Sequence, residues 1–290
     1  MLIALLKTMR PRQWVTKNIF IFAALVADKQ LFKPQAFLHT LAGFALFCLI
    51  SSCVYIFNDL ADVEADRQHP EKKNRPIPSG KLPVPVARLA GFVFLVIALA
   101  LAYLLKPAFF AVISAYFLIN LAYSKWLKHV PILDVLIIAA GFVLRVHAGV
   151  TLISVERFSP WLYVVMTLLS LFLGFGKRRA ELALLAHGAG THRKVLDGYT
   201  LPLLDQYIMI VSGATIVAYS LYTFSAPNLP ENHGMMLTIP FVVYAIFRYM
   251  YLIEVKHEGG APEEILLSDR PFQIAMLMWV IVVLAIFYLS

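Results

Sequence analysis

Apolar residues run through this chain in long blocks separated by short polar stretches, and that alternation predicts its elements. A hydrocarbon layer about 30 Å thick takes about 20 residues of helix to cross. Blocks of that order cover Asn18 to Leu31, Ala36 to Phe57, Val86 to Leu105, Ala108 to Tyr123, Ile132 to Leu152 and Pro160 to Phe175. Leu201 to Phe224, Met235 to Glu254 and Phe272 to Leu289 follow, which makes about nine spans. The first has to extend back through Trp14 to reach across. The longest polar stretches, Asp59 to Lys81 and Lys177 to Asp197, are too short for a soluble domain, so residues 1–290 read as one integral membrane domain. The expected fold class is an all-α polytopic bundle.

Composition agrees with that reading. The chain is 60% hydrophobic and 14% charged, where soluble proteins carry about 25% charged residues. Cys48 and Cys53 lie inside an apolar block, five residues apart, and do not share a helical face, so they read as packing residues. Met1 to Leu6 is too short for a signal-peptide core and its basic residues follow it, so the first membrane helix is expected to be retained.

Lys and Arg set the expected orientation, because insertion places cation-rich short loops in the cytoplasm. One set of connections carries Lys7, Arg10, Arg12 and Lys17, then Arg67, Lys72, Lys73, Arg75, Lys81 and Arg88, then Lys125 and Lys128. It continues with Lys177, Arg178, Arg179, Arg193 and Lys194, then Lys256 and Arg270. The alternate set holds only Lys29, Lys33, Lys106 and Arg157. The N-terminus is therefore expected inside a cell (inner) membrane and the C-terminus outside. For single lysines topology is a sufficient explanation, but it does not account for acids placed among them at helical spacing.

From Asn58 the chain reads Asn-Asp-Leu-Ala-Asp-Val-Glu-Ala-Asp, so Asn58, Asp62 and Asp66 step by four and stack on one helical face. Carboxylates leaving an apolar segment are costly unless something cationic occupies that face. Hard oxygens suit Mg²⁺, which commonly bridges one or two carboxylates to substrate phosphates. A solvated acidic cap is the other reading. Asp59 and Glu64 are expected to project elsewhere. The loop Lys72-Lys73-Asn74-Arg75-Pro76-Ile77-Pro78-Ser79-Gly80 is stiffened by its prolines and returns three cations toward the ladder. Arg75 fits a phosphate best, through its planar fork.

The ladder, that loop and the segment Tyr123-Ser124-Lys125-Trp126-Leu127-Lys128 resemble the UbiA superfamily of intramembrane prenyltransferases along essentially the whole chain. The resemblance implies helices around a central cavity open toward the cytoplasm, with Mg²⁺ on Asn58, Asp62 and Asp66 holding a diphosphate and Tyr123 and Lys128 near the substrate. Members of the superfamily typically carry a second acidic motif after the sixth span. This chain has Gly176-Lys177-Arg178-Arg179-Ala180-Glu181-Leu182 there, a basic set that implies ligands bringing more negative charge than one diphosphate. Within the superfamily the pattern resembles the branch that joins 5-phosphoribosyl diphosphate to a polyprenyl phosphate, carried also by Arg10-Pro-Arg-Gln-Trp-Val-Thr-Lys-Asn18.

The substrate-binding candidates are Lys17, Asn18, Lys73, Arg75, Tyr123, Lys128, Arg145, Lys177, Arg178 and Glu181. Glu181 is assigned to a ribose hydroxyl or a second metal. Arg145, inside a span, either lines a cavity or pairs with an acid such as Asp134. Trp14 reads as an interfacial anchor, and Asp197 as a turn residue beside Gly198. His187 and His192 lack metal-ligand spacing and read as solvated. The bilayer is the expected surrounding and no nucleic-acid partner is expected. Small residues in several spans leave helix packing and a homo-oligomer both open. Alkylation of an aromatic or haem acceptor by an isoprenoid diphosphate is the rival chemistry; a non-catalytic lipid-phosphate binder or transporter is the remaining alternative.

Overall fold

The computed structural model describes residues 1–69, 72–155, 158–186, 194–227, 229–256, 265 and 268–289. Arg157, His187, His192 and Arg193 lie outside the described residues. Among the described residues every regular element is a helix, and there is no strand. Eight of the described helices are long and apolar enough to cross a membrane, against about nine expected.

The difference lies in the first expected span, Asn18 to Leu31. There the chain forms α1 (Leu2–Met9), α2 (Arg12–Asn18), a 3-10 turn over Ile19–Phe22 and α3 (Ala23–Ala27). Polar residues and the Ile-Phe-Ile-Phe run, weak helix formers, break this segment into short pieces. The long helices are α4 (Pro34–Ala61), followed by the short α5 (Val63–Gln68), then α6 (Val84–Leu105), α7 (Pro107–Lys125), α8 (Leu133–Leu152), α9 (Pro160–Ala186), α10 (Leu201–Ser225), α11 (Ile239–Glu254) and α12 (Arg270–Leu289). Proline stands in the first turn of α4, α6, α7, α10 and α11, where the missing N–H would have had no helical partner. Most expected boundaries hold to within a few residues. The large exception is α9, which continues past Phe175 through Lys177, Arg178 and Arg179 to Ala186. Lys, Arg, Ala, Glu and Leu all favour helix, and the two arginines are neutralised by acids.

The helices form two compact units. The first comprises Met1–Val26, Gln30–Lys128 and Leu144–Val155. In it α4 packs along α6 and α7, and α1 lies on α4. Met9, Ile56, Ile77, Leu82 and Ala87 form a core under the loop that follows α5. The Leu144–Leu152 stretch of α8 approaches the 3-10 turn so closely that a Cβ at Gly149 would run into the Ile21 carbonyl. Cys48 and Cys53 are buried and unpaired with each other, in keeping with packing roles.

The second unit comprises Ala27–Lys29, His129–Val143 and Glu156–Ser290. Here α9 packs along α10, and α11 along α12. Phe172, Phe175, Leu204, Ile208, Ile246 and Tyr249 fill its core. In both units outward residues, such as Leu104 in the first and Met209 and Ile210 in the second, are large, apolar and exposed. That is how a lipid-facing surface is built, because lipid tails solvate such side chains as well as a core does.

Candidate active site

The expected ladder is split into two clusters. Asp62 sits at the junction of α4 and α5 with φ −97° and ψ 8°, outside ideal helix. Backbone hydrogen bonds still run through it, Asp62 N–H to Asn58 O at 3.0 Å and Asp66 N–H to Asp62 O at 2.8 Å. In the first cluster Lys128 Nζ donates to both Asp62 oxygens, at 3.0 and 3.1 Å, and Ser124 Oγ donates to Asn58 Oδ1. Asp62 keeps 35% of its side chain exposed.

The second cluster is buried deeper and centres on a residue that sequence reasoning set aside. Asp59 and Asp66, both nearly inaccessible, share one guanidinium. Arg75 Nη1 lies 2.7 Å from Asp66 Oδ2 and 3.3 Å from Asp59 Oδ1. Arg10 Nη2 reaches the same Asp59 oxygen at 2.6 Å, and Lys72 Nζ lies 3.9 Å from Asp66 Oδ1. Asp59 does not project elsewhere, because residues seven apart fall almost on one line after two helical turns. That i, i+7 relation was the signal available in the sequence. Glu64 does point away, to a surface pair with Arg67.

The loop positions Arg75 for a physical reason. Ile77 and Leu82 plug into the core, Leu82 N–H donates to Pro76 O, and Gly80 takes φ 78°, a conformation that favours glycine. Arg10 ends α1 in a left-handed conformation and stacks 4.8 Å from the Tyr55 ring centroid. Lys73 in the same loop is exposed, and Tyr123 is half-buried.

Two other expected substrate contacts are committed within the first unit. Arg145 is 5% exposed, its Nε donating to Asn18 Oδ1 at 2.9 Å and its Nη2 to Tyr116 Oη at 2.8 Å, between the rings of Phe47 and Tyr116. Asn18 is itself buried and donates to Ser51 Oγ and Cys48 Sγ. Arg145 and Asn18 hold one another in place. Lys17 Nζ donates to Gln13 Oε1 at 3.2 Å. Trp14 donates its indole N–H to Met9 O and Ser52 Oγ, which anchors it to protein.

In the second unit the basic motif of α9 is largely neutralised. Arg178, expected on a phosphate, is 3% exposed and its Nε lies 2.6 Å from Oδ2 of the fully buried Asp134. Its Nη1 binds Glu181 at 2.8 Å, so Glu181 is spent on an arginine where a ribose hydroxyl or second metal was expected. Asp134 pairs with Arg178, and Arg145 lies about 16 Å farther along the same helix, beyond the reach of that carboxylate. The other Asp134 oxygen accepts from Tyr199 Oη at 2.7 Å. Burial, first of all, keeps the Tyr199 hydroxyl protonated well above the usual phenol range, and it also accepts from the Ile132 N–H. Arg179 joins Asp205 and Glu254, each at 2.6 Å. Lys177 is half-buried on α9. Asp197 is exposed beside Gly198, whose Cβ position is taken by Pro131.

Among the described residues, no three His, Cys, Asp or Glu side chains gather as a metal cluster. The Asn58–Asp62 pair still fits Mg²⁺, which takes hard oxygens and fills its remaining positions from water and phosphate.

These helices and this carboxylate–cation face define a multi-pass membrane protein equipped to handle phosphates at a helix end. The chain belongs to the UbiA prenyltransferase family, whose sequence model matches residues 19–265. It is 33% identical to decaprenyl-phosphate phosphoribosyltransferase of Corynebacterium glutamicum, over 98% of this chain and 87% of the relative. It is 35% identical to the enzyme of that name from Mycolicibacterium smegmatis, over 99% of this chain and 93% of the relative. A UbiA homolog from Archaeoglobus fulgidus, solved bound to GPP and Mg²⁺, has the same fold, with a TM-score of 0.75 at 20% identity, covering 98% of this chain and 99% of the homolog.

Proposed function

We propose that this protein transfers 5-phosphoribose from 5-phosphoribosyl diphosphate to a polyprenyl phosphate, releasing diphosphate. One observation carries the reading: Arg10, Lys72, Arg75 and Lys128 converge on Asp59, Asp62 and Asp66, a surplus of cations at the end of a membrane helix. An acceptor that is itself a phosphate, and a donor with a diphosphate and a 5-phosphate, suit that surplus. The near full-length relatives support the same substrate pair. The family match draws on residues of both units, which supports reading residues 1–290 as one catalytic domain.

In the reaction a lipid phosphate oxygen bonds to ribose C1 as the bond from C1 to the diphosphate oxygen breaks. The diphosphate leaves with the electron pair. The attacking phosphate is already ionised, so no general base is required. Asn58 and Asp62 would hold Mg²⁺, with Asp66 joining them once Arg75 leaves it for phosphate, and the ion would supply charge neutralisation for the departing diphosphate. Arg75 and Lys128 exchange their carboxylate partners for phosphate oxygens, Arg75 by its fork and Lys128 as a point charge. Lys17, Lys73, Lys177 and Tyr123 are assigned to substrate on charge and position in sequence. Catalysis then rests on positioning and charge stabilisation. The protein lies in the cell (inner) membrane with its N-terminus and ladder cytoplasmic and its C-terminus outside, the broken segment from Arg10, beside Asp59 near the C-terminal end of α4, to Lys33 at its N-terminal end making a crossing in addition to the eight long helices.

The test is transfer of label from ribose-labelled 5-phosphoribosyl diphosphate into lipid by purified protein with polyprenyl phosphate and Mg²⁺. Label is expected with wild type and absent with Asp62→Asn and Asp66→Asn. No label from folded wild type, together with alkylation of an aromatic acceptor by an isoprenoid diphosphate, assigns the rival chemistry instead.

A further inference from the structure

The first unit contains a cavity of about 240 Å³ between α4 and α7. On α4 it is lined by Val54, Phe57, Asn58 and Ala61, spaced by three, four and seven residues along one helical face. On α7 Phe117, Asn120, Leu121, Ser124 and Lys125 repeat the same spacing. Seven residues of helix rise about 10 Å, so the cavity is a slot running along two membrane helices. Away from its polar end the walls are aromatic and aliphatic except for Asn120, whose amide donates to the Tyr116 carbonyl at 2.8 Å. The polar end is marked by the Ser124–Asn58 hydrogen bond and by Lys125, whose ammonium lies 5.7 Å from the Trp126 ring centroid.

The slot is smaller than the roughly 300–1,000 Å³ of a pocket for a whole small molecule. It is poorly suited to a sugar phosphate, whose hydroxyls need more partners than these walls supply. A short stretch of hydrocarbon chain fits, provided its charged end emerges where the polar groups are. Asn58 belongs both to this slot and to the ladder, so a chain seated here ends beside the carboxylates. Lys125 at the mouth, and Lys128 one turn on, supply charge complementary to a phosphate there.

We propose that this slot binds the isoprenoid segment next to the phosphate of the acceptor lipid, with Lys125 at the phosphate end. The identity of the lipid rests on the phosphoribosyltransferase reading above. Phe117 and Leu121 grip the first isoprene units, and the remainder of the chain leaves along the helices into the bilayer.

The decisive experiment is photocrosslinking of the full chain in nanodiscs with a farnesyl phosphate carrying a diazirine on its first isoprene unit. Peptides containing residues 54–61 and 117–125 are expected to carry the label. Unlabelled polyprenyl phosphate is expected to compete and phosphatidylglycerol to compete at least tenfold less well. Label on other helices, or equal competition by phosphatidylglycerol, overturns the proposal, the latter making the slot a general acyl-chain site. Ala61→Trp, at an exposed position, and Leu121→Trp are expected to raise the KM for polyprenyl phosphate at least tenfold with the KM for 5-phosphoribosyl diphosphate unchanged. An equal rise in both, in protein of wild-type melting temperature, also overturns it. Crosslinking requires no turnover, so label in the slot without phosphoribosyl transfer refutes the proposed reaction and leaves the lipid site standing.

Discussion

Replacing Asp134 with Asn tests whether the α9 cations are structural. Asp134 is fully buried and Arg178 retains 3% of its side-chain exposure, so the substitution leaves a guanidinium in a low-dielectric interior with half its carboxylate partners. Removing one partner of a buried pair costs about 3–5 kcal/mol. The Asn side chain still accepts from Tyr199, and Glu181 still holds Arg178 Nη1, so about 3 kcal/mol, the lower end, is expected. At about 2–4 °C per kcal/mol, the melting temperature falls by roughly 6–12 °C. Intrinsic fluorescence in detergent micelles at one fixed scan rate reads this. The double variant Asp134→Leu/Arg178→Met, which removes both charges, is expected to melt above Asp134→Leu alone, because the uncompensated charge has gone. Asp134→Asn melting within about 1 °C of wild type, a shift well under 1 kcal/mol, refutes the reasoning, as does strict additivity in the double variant.

Arg75→Gln removes the cation shared by Asp59 and Asp66, and is expected to destabilise by about 2–4 kcal/mol and to abolish label transfer. Arg75→Lys, keeping charge without the fork, should recover stability more than activity, checked by melting and label transfer in parallel. Tyr199→Phe strips Asp134 of a donor and the Ile132 N–H of its acceptor, a loss of about 1–3 kcal/mol measurable by the same melt. Ile132 holds φ 69°, a strained value for a β-branched residue, so Ile132→Asn is expected to gain about 1 kcal/mol if the Tyr199 contact persists. Arg248 hydrogen bonds, aided by the Phe272 N–H, hold Asp269 below the usual carboxylate range. That stabilisation is present above the ordinary carboxylate pKa and is lost as pH falls through the lowered value. Arg248→Gln should therefore move the acid limb of the stability–pH curve upward in pH.

The membrane helices were legible because hydrocarbon length is a hard constraint on apolar runs. The α9 boundary was not, since Lys177-Arg178-Arg179 reads as a loop until its acids are known, and Asp134 and Asp205 are 44 and 26 residues away. Spacing placed Asn58, Asp62 and Asp66 on one face, but the bend at Asp62 and the competing cations divided that face between Lys128 and Arg75. Asp59 shares an i, i+7 line with Asp66, but its partner Arg10 lies 49 residues upstream, a contact that local spacing does not encode. Asp134 carried one readable signal, an acid in an apolar run, which requires a partner. Arg145 lies on the same helix, about 16 Å along its axis and out of reach, so the partner had to come from elsewhere in the chain, and Arg178 is 44 residues away.

Gly149 meets the carbonyl of Ile21 where every other residue carries a side chain. Main chain therefore sets the approach of the Leu144–Leu152 stretch to the 3-10 turn at Ile19–Phe22. Evolution then has unequal freedom at the two partners. Ile19 and Phe20 accept other apolar residues wherever the new volume is tolerated, whereas position 149 admits no drift at all, and even alanine must push the segment carrying Asn18 away from Arg145. A saturation library scored for surviving protein should record that asymmetry, with one silent column at 149 beside a permissive stretch at 19 and 20.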